Sequence, residues 1–135
     1  MRKYIFVLSV IMLIAAAAFT GLSNGKTRTV KEGGILSVND IQADPSAYKG
    51  TITITGVVAG KSHFRNLPQN VFLMVETSEA KLCKQTGCAR FYLPVQFEGK
   101  MPQEWDEVNV TGSFVENGKP FIATKVDVLR HLTFK

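Results

Sequence analysis

Beyond residue 50 most of the chain alternates hydrophobic with polar positions, and the alternation has the period of a strand. In 51–58 (TITITGVV), Ile52 and Ile54 fall on one face because successive strand side chains point to opposite sides. Gly56 within that run predicts a bend or a bulge. Residues 71–75 (VFLMV) are apolar throughout, too short for a helix and rich in Val and Phe, which predicts a buried strand. In 90–97, Phe91, Leu93, Val95 and Phe97 share a face, while Pro94 confines this strand to an edge or to irregular pairing. Val108, Val110 and Phe114 form a further alternating set around Gly112. Asn117-Gly118 then supplies the two positive-φ positions of a tight type I′ turn, so 107–116 and 119–129 read as a hairpin. Ahead of the strands the fold opens at Ile35 or Leu36, and Asn39 or Asp40 caps a short helical turn that Pro45 ends.

Five strands, a short turn segment around 101–105 and no long helix predict an all-β fold, a small five-stranded OB-type (oligonucleotide/oligosaccharide-binding) barrel. A sandwich needs about seven strands. An SH3-like barrel and an open meander share the strand count, but closure removes the exposed edges that invite aggregation.

A different pattern opens the chain. Arg2 and Lys3 precede an apolar run from Tyr4 to Phe19, broken by Ser9 and closing on Ala15, Ala16, Ala17 and Ala18. A positive segment, an apolar segment and an Ala-x-Ala site make a secretory leader, read as a cleaved signal peptide or a retained signal anchor over 1–22. Residues 23–34 are polar, glycine-containing and aperiodic, and read as a linker; 35–135 is the barrel domain. The expectation is export, to the periplasm or the outer face of the cytoplasmic membrane, with membrane contact only through the N-terminal segment.

Charge adds little. The formal net charge is +5, of which Arg2 and Lys3 supply two, leaving a mild excess of +3 on the rest. That steers anions only weakly and is too little to argue for a nucleic-acid partner on charge alone. His63, Arg65, Lys81, Lys84 and Arg90 are the nearest thing to a basic cluster, and Glu98, Glu104, Asp106 and Glu107 gather elsewhere, in the manner of solvated faces.

Tyr48-Lys49-Gly50 leading into 51–58 resembles the first strand of many bacterial OB-fold proteins. The stretches 97–105 (FEGKMPQEW), 108–112 (VNVTG) and 121–126 (FIATKV) are similar to the late strands of the periplasmic haem chaperones of cytochrome c maturation. These are anchored OB-fold proteins with an aromatic-x-Gly-x-x-Pro-x-x-aromatic pattern. The same stretches of this chain are also similar to signal-peptide-bearing periplasmic OB-fold proteins whose ligand is unassigned. The resemblance implies the fold and the compartment. It also implies a haem or metal role for His131, since the chaperones attach haem at a histidine just past the last strand; Leu132, Thr133 and Phe134 follow here in place of that family's acidic residues.

Two further groups carry candidate chemistry. Cys83 and Cys88, the chain's two cysteines, lie between two predicted strands, and in an oxidising compartment they predict a disulfide. The alternative is a dithiol that binds a soft metal or exchanges disulfides, activated by Lys84 and Arg90. His63, Phe64 and Arg65 lie in the loop after the first strand, one of the loops OB barrels use for ligands, and with Arg90 and Tyr92 they are the ligand-binding candidates. An aromatic ring beside Arg and His suits stacking on a base, sugar or porphyrin and pairing with an anion. Trp105, with Met101 and Pro102, reads as a lid over one barrel end, Phe91, Phe97 and Phe114 as core, and Tyr48 and Tyr92 as half-buried. No Gly-x-Ser-x-Gly, His-Glu-x-x-His or phosphate loop occurs, so the sequence reads as a non-enzymatic binding or accessory protein of unidentified ligand or protein partner, with no cofactor expected. A haem or metal carrier is the alternative, and a single-strand nucleic-acid binder the second.

Overall fold

A computed structural model describes residues 34–61, 64–115 and 120–134. The leader, most of the linker, His63 and the Asn117-Gly118 turn lie outside the described residues. Five strands close a mixed barrel: β2 (Ile52–Ala59), β3 (Val71–Val75), β4 (Leu93–Gln96), β5 (Asp106–Phe114) and β6 (Phe121–His131). Around the wall the order is β2-β3-β4-β6-β5 and back to β2. All neighbours are antiparallel except β4 and β6, whose parallel ladder joins Val95 to Phe121 and Gln96 to Ile122. This is the expected OB-type barrel. A two-residue strand, β1 (Leu36–Ser37), adds to β2 in parallel.

The alternation works as the sequence predicts. Ile52, Ile54, Val58, Phe72, Met74, Leu93, Val95, Val108, Val110 and Phe121 point inward and are buried. The intervening Val57, Ala59, Leu73 and Val75 point outward, yet they are buried too, under a second apolar layer. That layer explains why β3 is apolar at every position.

β2 changes partners along its length, pairing β5 through 52–57 and β3 through 57–59. Gly56 sits at the change, in unbroken register, so it marks a bend and no bulge. A Cβ there would lie 2.8 Å from the Val75 carbonyl oxygen and 2.9 Å from the Met74 and Val38 side chains, so glycine lets the wall fold tightly over its end plug. The bulges fall on β6 instead. Its register against β5 slips between Glu107 and Val108 and between Thr111 and Gly112, leaving Leu129 and Thr124 as extra residues.

Pro94 stands inside a ladder that alternation lets it tolerate. The Phe97 N–H donates to the Asn70 carbonyl at 2.9 Å, so every second residue of β4 bonds to β3 and Pro94 falls between bonded positions. Its nitrogen faces the side where the ladder to β6 begins only at Val95. The strand is shorter than 90–97, and Phe91 and Phe97 flank it, part-buried against the core.

One barrel end is plugged by α1 (Val38–Ala43), which buries Val38 and Ile41 completely. Its cap is Ser37, ahead of the expected Asn39 or Asp40. The Ser37 hydroxyl accepts from the Asp40 N–H at 3.1 Å, and the Asp40 carboxylate accepts from the Ser37 N–H at 3.0 Å, a reciprocal capping box. Tyr48 joins the plug and is buried rather than half-buried.

Candidate functional site

The ligand candidates meet on the outer wall over β2 and β3. The connection from β3 to β4 is not a bare loop. Residues 77–83 form α2 (Thr77–Cys83), which buries Ala80 against Val57 and Val75 and ends at Lys84 in the left-handed conformation. Cys83 at the helix end and Cys88 in the following 3-10 turn stand at disulfide distance, Cα atoms 6.7 Å apart. The bond closes the turn that lets the chain double back. A clamp of charge finishes it: the Arg90 backbone N–H donates to Glu79 Oε2 at 3.1 Å and the Arg90 Nε–H to Glu79 Oε1 at 2.9 Å. The Arg90 backbone hydrogen bond, then its guanidinium, hold the Glu79 carboxyl below the ordinary carboxylate value.

That clamp delivers Tyr92 to the wall, where its hydroxyl donates to the Thr86 carbonyl at 3.1 Å. The Phe64 ring, from the loop after β2, meets Tyr92 edge to face with centroids 4.9 Å apart. With Leu67 and Ala89 the two rings roof the outward side chains of β2 and β3. Both remain partly exposed. Arg65, next to Phe64, is exposed, and among the described residues no carboxylate pairs with it. Of the five ligand candidates the structure therefore unites Phe64 and Tyr92, leaves Arg65 available beside them and commits Arg90 to Glu79. His63 lies outside the described residues.

The same wall is tied together by a buried hydroxyl. Thr86 Oγ1 accepts from the Gly60 N–H at 3.2 Å and donates to Glu104 at 3.0 Å, joining the loops that follow β2, α2 and β4. Trp105 belongs to this outer layer and not to a lid over a barrel end. Its φ of 73° turns the chain into β5, its N–H donates to the Val58 carbonyl at 3.0 Å, and its indole meets Phe134 edge to face at 4.8 Å.

A second constellation lies where β5 begins and β6 ends. Asp106 and Glu107 are buried, contrary to their expected place on a solvated face. Asp106 accepts from the Gln103 N–H at 2.8 Å and from His131 Nδ1 at 2.8 Å. A carboxylate only accepts, so Nδ1 is the donor in this contact, and the His131 ring is half-exposed. Glu107 accepts from Lys81 Nζ at 3.3 Å and from Arg130 Nε. Burial would raise the Glu107 carboxyl, but those two cations outweigh it and hold it below the ordinary value. The sequence offers no signal for the Asp106–His131 pair, because residues 25 apart meet only through the hairpin register.

Among the described residues no three His, Cys, Asp or Glu side chains gather as a metal-holding group, and no helix is long and apolar enough to cross a membrane. The sequence matches no protein-family model and none of the curated proteins.

Proposed function

We propose that this chain is an exported, non-enzymatic OB-type binding or accessory protein that takes an anionic, ring-bearing ligand on its outer wall over β2 and β3. The Phe64–Tyr92 ring pair carries the reading. Phe64 comes from the loop that OB barrels use, the pair roofs the outward side chains of β2 and β3 while staying partly exposed, and the next residue, Arg65, has no carboxylate partner among the described residues. Rings give sequence-tolerant stacking area, and a guanidinium orients a carboxylate or phosphate in two-pronged fashion. The leader supports export, and the cysteine pair suits an oxidising space.

The test is a nuclear magnetic resonance titration of protein recovered from a host expressing the whole chain, with a galacturonate hexamer, an acidic peptide and a single-stranded oligonucleotide as probes. One probe shifts Phe64, Arg65 and Tyr92, and Arg65→Ala weakens its binding about tenfold, the size of one charge-assisted hydrogen bond. Shifts confined to another face, or absent for all three probes, overturn the assignment.

A second reading, a haem or metal carrier, is favoured by one observation. The Asp106–His131 contact repeats the arrangement in which a carboxylate fixes the tautomer and direction of a ligating imidazole. The same role for Cys83 and Cys88 loses ground, since each sulfur is occupied by the other. Added haem then gives a Soret shift that His131→Ala abolishes; a spectrum unchanged on adding haem eliminates this reading.

A further inference from the structure

The described residues give β6 a strand neighbour on both sides only at Phe121 and Ile122. From Ala123 to His131 it pairs with β5 alone, so one edge carries backbone donors and acceptors without a strand partner among the described residues. Such edges attract other strands. Two bulges, at Thr124 and Leu129, confine regular geometry to the window 125–128. Within it Lys125 and Asp127 point outward together and bond to each other at 2.7 Å, with 66% and 47% of their side chains exposed. Val128 and Leu129, beside them, are 54% and 53% exposed, an apolar pair this barrel leaves uncovered.

We infer that this edge pairs antiparallel with the same edge of a second copy, about a two-fold axis through Val126. The charges select that occupant and that register. Stepping outward from Val126 in the two directions meets Lys125 on one side and Asp127 on the other, so the axis sets each lysine opposite the other copy's aspartate, on one face of the joined sheet. Val128 and Leu129 then lie across from Thr124 and Ala123 of the second copy and lose their exposure. Parallel in-register stacking would instead set lysine against lysine and aspartate against aspartate, so the same two residues reject open-ended association. The contact uses the same edge on both copies, so it closes at two.

Sedimentation equilibrium across a concentration series tests this on protein recovered from a host expressing the whole chain. The native protein reaches a monomer–dimer equilibrium. Lys125→Asp sets acid against acid, Asp127→Lys sets base against base, and each weakens dimerisation at least about tenfold, because both symmetric charge pairs turn repulsive. An equal mixture of the two variants regains the dimer, since residue 125 of one copy again faces opposite charge at 127 of the other; this recovery separates lost pairing from lost folding. A native protein that stays monomeric at several hundred micromolar, or a dimer indifferent to the two reversals and to their mixture, overturns the inference.

Discussion

Glu107 shows how one residue can be placed against its type. Its carboxylate is 10% exposed, a position that burial alone would penalise, and it is kept charged by Lys81 from α2 and Arg130 from β6. The three side chains tie the outer helix to the hairpin. Glu107→Gln keeps the shape and removes the charge, leaving two cations that are 41% and 61% exposed and can rehydrate, so the cost is that of charge-assisted bonds part-compensated by water, about 1–2 kcal/mol by urea unfolding. The pH dependence has a definite sign. A carboxyl lowered by folding is ionised in the native state where the unfolded chain has begun to take up protons. Its contribution is complete above the unfolded value of about 4.3 and fades as pH falls through the lower native one. Unfolding curves of Glu107→Gln and the native protein therefore differ at pH 7 and converge in acid; a difference that persists at pH 2 would locate the loss in packing instead.

At the scale of elements, the β5–β6 hairpin decides most of the geometry, and Gly112 is its tightest point. A Cβ on Gly112 would run into the carbonyl oxygen of Ile122 and lie 2.9 Å from Ala123 Cα, both in the backbone of β6 next to the Thr124 bulge. Backbone held in a ladder on one side and a bulge on the other yields little. Gly112→Ala is expected to cost about 3 kcal/mol, the upper range for overpacking, and a thermal midpoint within a few degrees of the native one would show that the bulge relaxes freely. The same hairpin shows where the sequence is legible. Asn117-Gly118 and the alternation on either side set Phe114 opposite Phe121, as observed. Continued without interruption, that register would set Asp106 opposite Leu129. Each bulge advances β6 by one residue, and two bulges bring His131 to Asp106 and Arg130 to Glu107. A bulge here follows from how strands crowd around a closed wall, which local composition does not record, so the charged pairs were invisible while the strands were plain. The segment 77–83 was obscure for a related reason. Its one buried residue, Ala80, gives no helical stripe, and the helix is held by the wall beneath it and by the bond at Cys83. Phe64, by contrast, is legible as a candidate from its loop's place in an OB barrel and Tyr92 from its strand, although their contact with each other needs the fold.

The molecule as a whole is a cylinder with one thin seam. β2 meets β5 over 52–57 against 107–112, and β5 meets β6 from 106 to 114, while β4 and β6 share two residue pairs. That seam is also the parallel one, where each pair is worth slightly less, and closing it joins strands separated by the whole of β5. Cooperative cores open first where least burial and fewest backbone bonds must be given up. The seam has burial in its favour, because Val95 and Phe121 are fully enclosed, but Gln96 and Ile122 beside them are part-exposed and the ladder ends there. Opening it frees that side of β4 and leaves the β2–β5–β6 sheet intact, with the roof of Phe64 and Tyr92 still resting on β2 and β3. Native-state hydrogen exchange should therefore show the amides of β4 and the start of β6 exchanging through a partial opening of lower free energy than those of Ile54, Val108 and Val110. Because Tyr92 of the proposed ligand surface immediately precedes β4, a bound ligand would slow exchange at β4 more than at β5. Uniform protection around all five strands would mean that the wall behaves as one unit and that the seam, however short, is no weaker than the rest.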